Sequence, residues 1–218
     1  MVGSIMPCTA KKAEITRPEH YTDGEQNVDY VLTTTEITRM IQEAGIDLAQ
    51  VQPEALDMPF GLASGAGAIF GVTGGVTEAV LRRLVNSSRT EDLEEISFSG
   101  IRGVDGIKEA KVNLNGREVK IAVVNGLHCA EDLLEKMKAG EVHYDFVEVM
   151  ACKRGCIAGG GQPVPIGPRT KKARLEGIYK IDNMAQIKLS NENPIITEVY
   201  AGILKGKEHK LLHNEMNV

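Results

Sequence analysis

The 218-residue sequence has no Trp and only 4% aromatic residues, which leaves few platforms on which nucleic-acid bases could stack. It also lacks any excess of positive charge. Lys and Arg number 25 against 30 Asp and Glu, a net charge of −5, so no general basic field attracts nucleic acid or an anionic membrane. No apolar run approaches the ~20 residues that span a bilayer. The opening Met1-Val-Gly-Ser-Ile-Met-Pro-Cys8 has no basic stretch ahead of an apolar one. No signal peptide is read there, and a cytoplasmic location is expected. Cysteine is scarce, with four residues at Cys8, Cys129, Cys152 and Cys156. In a cytosolic chain of this length they point to thiols or metal ligands rather than disulfides. Glycine, by contrast, is frequent at 23 residues, which permits backbone to approach a neighbour closely. The hydrophobic content of 42% is ordinary for a globular chain and suffices for one domain or two small lobes.

Residues 2–6 read as a short strand entering the Met6-Pro7-Cys8 corner, followed by a polar segment to Gln26 broken by Pro18 and Gly24. Thr33-x-x-Glu36 is a capping-box signature, and Ile37, Met40, Ile41 and Ala44 behind it fall at helical spacing, with Gly45 as the stop. Residues 61–75 are rich in glycine and run into a predicted helix over 76–85, with Glu78 near its start and Arg82 and Arg83 near its end, as the helix dipole favours. Such a loop is either an anion or cofactor cradle or a tight turn packed on neighbouring backbone. The phosphate-binding glycine motifs are absent. Residues 109–124 predict a hairpin turning at Asn115-Gly116, and a helix follows over 130–139. Phe146-Val-Glu-Val-Met150 predicts a buried strand leading into Cys152. From Pro163 the chain reads as polar and irregular until a helical pattern returns over 194–204. The sum is an α/β architecture with mostly parallel pairing and one antiparallel hairpin.

Two segments carry chemistry. In Cys152-Lys-Arg-Gly-Cys156-Ile-Ala-Gly-Gly-Gly-Gln-Pro163, two thiols follow a buried strand and precede three glycines. Thiolates suit soft iron, and glycines let a bulky inorganic cluster approach the main chain. A pair of buried cysteines at a tight turn is the plainer reading. In Met6-Pro7-Cys8-Thr9-Ala10-Lys11-Lys12-Ala13-Glu14, cations follow a thiol and favour its thiolate, although alone this would read as a solvated basic turn. Cys129, just before a helix, reads as structural. A zinc staple of Cys8, Cys152, Cys156 and a histidine is a further alternative.

Together these segments resemble the large subunit of [FeFe]-hydrogenases, in the C-terminal part of its catalytic domain. Met6-Pro7-Cys8-Thr9-x-Lys11-Lys12-x-Glu14 matches the family's middle signature, and Glu148-Val-Met150-Ala-Cys152-x-x-Gly155-Cys156-x-x-Gly159-Gly160-Gly161-Gln162-Pro163 matches its last. Between them, Gly67-Ala-Ile-Phe70-Gly71-Val-Thr73-Gly74-Gly75-Val-x-Glu78 is similar to its glycine loop, and Asn193-Pro194 and Leu211-Leu212-His213 to its ending. The resemblance implies two sheet-containing lobes flanked by helices, with a cluster site in the cleft between them. It implies a [4Fe–4S] cluster joined through one cysteine sulfur to a diiron unit with carbon monoxide, cyanide and a bridging dithiolate, together the H-cluster. Cys8 and Cys152 would ligate the [4Fe–4S] part and Cys156 would bridge. Lys11 would hydrogen-bond a cyanide, Met6 and Met150 would pack on the diiron ligands, and Phe70, Gly71, Gly159, Gly160 and Gln162 would line the cavity. The implied reaction is reversible reduction of protons to molecular hydrogen.

The family's first signature, an adjacent cysteine pair that supplies one more ligand and a proton donor, has no match in these residues, and neither do its ferredoxin-like domains. The expectations are an incomplete N-terminal lobe with exposed apolar surface, no activity alone, and partners outside these residues: an electron carrier such as ferredoxin and a chain supplying the cysteine segment. A non-catalytic iron–sulfur binding or sensory protein on the same scaffold is the alternative. Thr77 departs from a frequent Met of the family, and Lys153-Arg154 from a frequent Pro-Gly.

Overall fold

A computed structural model describes residues 1–57, 61–85, 106–114 and 116–212. In chain order the strands are β1 (Gly3–Met6), β2 (Tyr21–Thr22), β3 (Glu25–Gln26), β4 (Tyr30–Thr33), β5 (Gly106–Leu114), β6 (Arg117–Asn125) and β7 (Phe146–Met150). The helices are α1 (Lys11–Glu14), α2 (Thr34–Glu43), α3 (Gly65–Ala68), α4 (Gly75–Val85), α5 (Leu127–Lys138), α6 (Pro168–Met184), α7 (Pro194–Ala201) and α8 (Glu208–Leu212). Among the described residues none of them is long and apolar enough to cross a membrane. The chain divides into two compact units. One comprises Met1–Gly61, Gly159–Ile166 and Ile195–Val218, the other Leu62–Ala158 and Gly167–Pro194.

The first unit is built on the parallel pair β1–β4, with Met6 opposite Thr33 at its end. Thr33 is also the N-cap of α2. Its hydroxyl accepts the Glu36 N–H at 3.2 Å while its own N–H donates to the Glu36 carboxylate at 2.7 Å, the reciprocal capping box that the sequence predicts. Gly45 ends the helix at φ +68°. Val31 is the one buried apolar side chain of this unit among the described residues, whereas Val2, Ile5, Tyr30, Leu48 and Leu56 are exposed. A parallel sheet is ordinarily covered on both faces, so the expected exposed apolar surface of the N-terminal lobe is present here.

Glu36 carries a pH consequence. The Lys12 ammonium, 2.8 Å away, and the Thr33 N–H hold its carboxyl at about 2, below the ordinary 4.5. Because the folded value is depressed, the ionised cap stabilises fully above pH 4.5 and its contribution is lost as pH falls toward about 2. A carboxyl-detected NMR titration should find the Glu36 midpoint near about 2, and a midpoint at the ordinary 4.5 would contradict the cap.

The second unit holds the sheet β5–β6–β7, antiparallel in the hairpin and parallel between β6 and β7. The central strand is buried on both faces. Ile121 and Val123 pack with Leu81 of α4 and Ala110, while Ala122 and Val124 pack with Ala130 and Leu133 of α5. Val119, Ile121 and Val123, which alternate in the sequence, share one face, and Ala122 and Val124 between them fill the other. Of the predicted Asn115-Gly116 turn, Asn115 lies outside the described residues, as does His213 of the ending Leu211-Leu212-His213.

One expectation is corrected. The stretch after Pro163, read as irregular, contains the 17-residue helix α6. Its sequence is polar and interrupted by Gly177, and it is held largely by polar anchors rather than a wide apolar stripe. Asp182 receives Arg82, and the Arg174 guanidinium donates to the Ile157 carbonyl at 2.9 Å. The glycine segment 65–71 is also no open loop, since α3 and a 3₁₀ turn over Ile69–Gly71 fold it onto α6.

Candidate metal centre

In the first unit, the Met6-Pro7-Cys8 corner meets the triple glycine. The Gly161 N–H donates to the Pro7 carbonyl at 3.0 Å, and the Gly161 carbonyl accepts from the Thr35 amide at 2.9 Å and its hydroxyl at 3.0 Å, adding a second cap to α2. A Cβ on Gly161 would lie 2.9 Å from the Thr33 side chain, and one on Gly160 would lie 3.2 Å from Thr9 Oγ1. Cys8, half-buried, therefore sits between two residues that the glycines touch. Gly159 accepts the Gln162 N–H at 3.0 Å and completes this turn. Lys11 projects from α1 with its ammonium on the Glu14 carboxylate at 2.6 and 2.7 Å. The Lys11 hydrogen bond lowers the Glu14 pKa against an opposing effect of burial.

In the second unit, β7 ends at Met150 and the Cys152–Cys156 turn follows. Arg154 and Gly155 are successive left-handed residues at φ +75° and +78°. Arg154 is the position at which the resemblance set a frequent glycine, and a non-glycine there costs about 1–2 kcal/mol. Gly155 is pressed onto the glycine segment, where an added Cβ would lie 2.9 Å from the Gly71 carbonyl oxygen and the Thr73 nitrogen. Cys152 is exposed, Cys156 is half-buried, and none of the four cysteines is in a disulfide. Phe70 is 47% exposed on the same glycine segment.

Behind the turn, the Glu148 carboxylate accepts the Gly74 N–H at 2.7 Å, the Thr77 N–H at 2.7 Å and the Thr77 hydroxyl at 2.6 Å. A buried acid of β7 thereby caps the N-terminus of α4, where its charge meets the positive end of the helix. Thr77, one of the departures noted above, supplies two of these bonds, one of them from a hydroxyl that a Met would lack. Glu148→Gln replaces one accepting oxygen by an NH₂ that faces donors. It should cost about 2 kcal/mol, read as a lower urea midpoint of the metal-free chain. An unchanged midpoint would show the carboxylate to be dispensable.

Glu78 lies in the first turn of α4 and Arg82 in its last, as the sequence pattern predicts, but they also pair with one another. Both are buried, and the Arg82 guanidinium donates to Glu78 at 2.5 Å and bidentately to Asp182 of α6 at 2.7 and 2.8 Å. Burial acts to lower the Arg82 pKa, but the two carboxylates outweigh it and hold the pKa above its ordinary value. Arg83 is exposed, as a dipole partner would be.

The predicted site residues thus fall into two groups. Met6, Cys8, Lys11, Gly159, Gly160 and Gln162 belong to the first unit, and Phe70, Gly71, Met150, Cys152 and Cys156 to the second. Cys129 packs against Ala122, Val124, Ala130 and Leu133 in the core under α5, consistent with a structural role. Sequence reasoning gave no role to Gly161, Glu148 or Asn125. A carboxylate inside a buried apolar strand is a signal that Glu148 has a partner, although not of which one. Among the described residues no three His, Cys, Asp or Glu side chains converge to hold a single metal ion. A cluster distributes its thiolates over different irons and does not require that convergence. Cys8 in the first unit and Cys152 and Cys156 in the second each lie at a glycine-lined turn, and thiols are donors that suit soft iron.

Residues 1–160 match the family described as the C-terminal domain of the iron-only hydrogenase large subunit, and residues 168–215 match the iron hydrogenase small subunit. The chain is 42% identical to a subunit of the NADP-reducing hydrogenase of Solidesulfovibrio fructosivorans, over 98% of its own length and 37% of that protein's. It is 31% identical to the cytosolic iron–sulfur assembly component 3 of Mus musculus, covering 97% of itself and 46% of the relative. Among solved structures, an [FeFe]-hydrogenase whose structure reveals stepwise H-cluster assembly superimposes with a TM-score of 0.74 at 35% identity, covering 97% of this chain and 61% of that one. The chain spans less than two thirds of each of these proteins.

Proposed function

Because this chain belongs to the family formed by the C-terminal domains of iron-only hydrogenase large subunits, we propose that it is the C-terminal part of a hydrogenase and that its residues 1–218 form one partial catalytic domain. Cys8, Cys152 and Cys156 are its proposed thiolate ligands for the H-cluster. When bound, that [4Fe–4S]–diiron group supplies the electron transfer and the binding of hydrogen. The chain's own residues orient and enclose it. Met6 and Met150 offer soft apolar contacts, and Phe70, Gly71, Gly159, Gly160 and Gln162 line the approach. Of the three Lys11 N–H groups, the Glu14 carboxylate takes at most two, so one is available to an anionic ligand of the group.

The observation that carries this reading is the seating of both cysteine segments on glycines of the matching signatures: the Cys8 corner on Gly160 and Gly161, and Gly155 of the Cys152–Cys156 turn on Gly71–Thr73. These 218 residues contain no adjacent cysteine pair. In this proposal, protein outside them supplies the remaining ligand and the proton-delivering thiol, and electrons arrive from a carrier such as ferredoxin. A cytoplasmic location belongs to the same proposal. The second reading, an iron–sulfur binding protein without hydrogen chemistry, is favoured by the similarity to the assembly component.

The test is expression in a host competent for hydrogenase maturation, followed by iron and sulfide analysis and hydrogen evolution from reduced methyl viologen. The assay is run with and without a polypeptide bearing the cysteine-pair signature. Bound iron with sulfide, silence alone and hydrogen evolution on complementation are expected. Bound iron with silence in both assays would favour the second reading, and a chain without iron would sink both.

A further inference from the structure

Asn125 lies at the C-terminal end of β6, opposite Met150 of β7, with 1% of its surface exposed. Its side-chain carbonyl oxygen accepts the Arg154 N–H at 2.5 Å and receives the Thr73 hydroxyl at a longer 3.5 Å. The next residue, Gly126, donates its N–H to the Met150 carbonyl at 2.7 Å, so the ends of the two strands are tied together where the Cys152–Cys156 turn departs. One buried oxygen thus touches both the turn and the glycine segment against which Gly155 packs. Arg154 holds a left-handed conformation, φ +75°, that a side chain resists. An acceptor fixed on its amide offsets that resistance, and a buried amide oxygen is effective because few other partners can satisfy it.

We propose that Asn125 is a positioning residue that sets the Cys152–Cys156 turn, and with it the orientation of the two thiols toward their cluster. The assignment rests on the cofactor reading above. It acts through the Arg154 backbone, and two consequences separate it from general stabilisation. Asn125→Asp, which keeps the accepting oxygen, should preserve the turn where Asn125→Ala does not. Arg154→Gly, which removes the left-handed strain, should suppress the effect of Asn125→Ala.

The experiment uses the full chain in two forms. Without metal, amide hydrogen exchange at Arg154 should accelerate at least about tenfold in Asn125→Ala and remain near wild type in Asn125→Asp. After anaerobic reconstitution with iron and sulfide, Asn125→Ala should show altered EPR g-values for the reduced cluster and release iron to a chelator several-fold faster. The Asn125→Ala/Arg154→Gly chain should recover both. Unchanged exchange at Arg154, or a wild-type spectrum and release rate in Asn125→Ala, would overturn the role of Asn125 while leaving the cofactor reading intact. A wild-type chain that takes up no cluster would overturn the cofactor reading itself, and the exchange arm would still decide whether Asn125 sets the turn.

Discussion

Gly155→Ala is expected to destabilise the metal-free chain by about 3 kcal/mol and to prevent retention of a cluster. Two costs add. A residue with a Cβ at φ +78° costs about 1–2 kcal/mol. The new methyl would also lie 2.9 Å from the Gly71 carbonyl oxygen and the Thr73 nitrogen, backbone atoms that cannot rotate away, and overpacking of this kind costs about 1–3 kcal/mol. Urea unfolding followed by circular dichroism measures the sum. A midpoint within error of wild type would mean that the Cys152–Cys156 turn is not seated on the glycine segment.

Arg82→Met should be more damaging, at about 3–5 kcal/mol, because it strands two buried carboxylates. Glu78 and Asp182 are both at most 2% exposed, and Arg82 supplies the charge that makes their burial tolerable. The pair also joins α4 to α6, so its loss loosens the helix whose Arg174 holds the Ile157 carbonyl just beyond Cys156. Removing the stranded charges as well, in Arg82→Met/Glu78→Gln/Asp182→Asn, should recover part of the loss. The same urea experiment decides. A neutral Arg82→Met, or a triple variant weaker than the single one, would contradict the buried triad.

What could be read from the residues alone follows a physical divide. Helix α2 and strands β6 and β7 were legible because their signals are local: a capping box at Thr33 and Glu36, and apolar alternation through Ile121 and Val123. The cysteine turns were legible as candidate ligand sites because thiols beside glycines are chemically unusual. Helix α6 was not legible, since Asp182 and Arg174 look like surface residues until Arg82 and the Ile157 carbonyl are found opposite them. The glycines illustrate the same limit. Gly75 and Gly65 read equally well as cradle or packing. Only the folded chain reveals that side chains there would collide with the Ile69 carbonyl and Asp182. Glu148 was visible as an acid in an apolar strand, but its partners on Gly74 and Thr77 lie more than seventy residues away in the chain.

The central proposal is that Cys8, Cys152 and Cys156 share an iron–sulfur cluster in which Cys129 has no part. It is tested most directly by ⁵⁷Fe Mössbauer spectroscopy of the anaerobically reconstituted chain and its four single Cys→Ser variants. The predicted result is a [4Fe–4S] spectrum in the wild type and in Cys129→Ser, with loss or conversion of that spectrum in each of Cys8→Ser, Cys152→Ser and Cys156→Ser. A spectrum that survives all three of those substitutions, or one that is lost in Cys129→Ser alone, would contradict it.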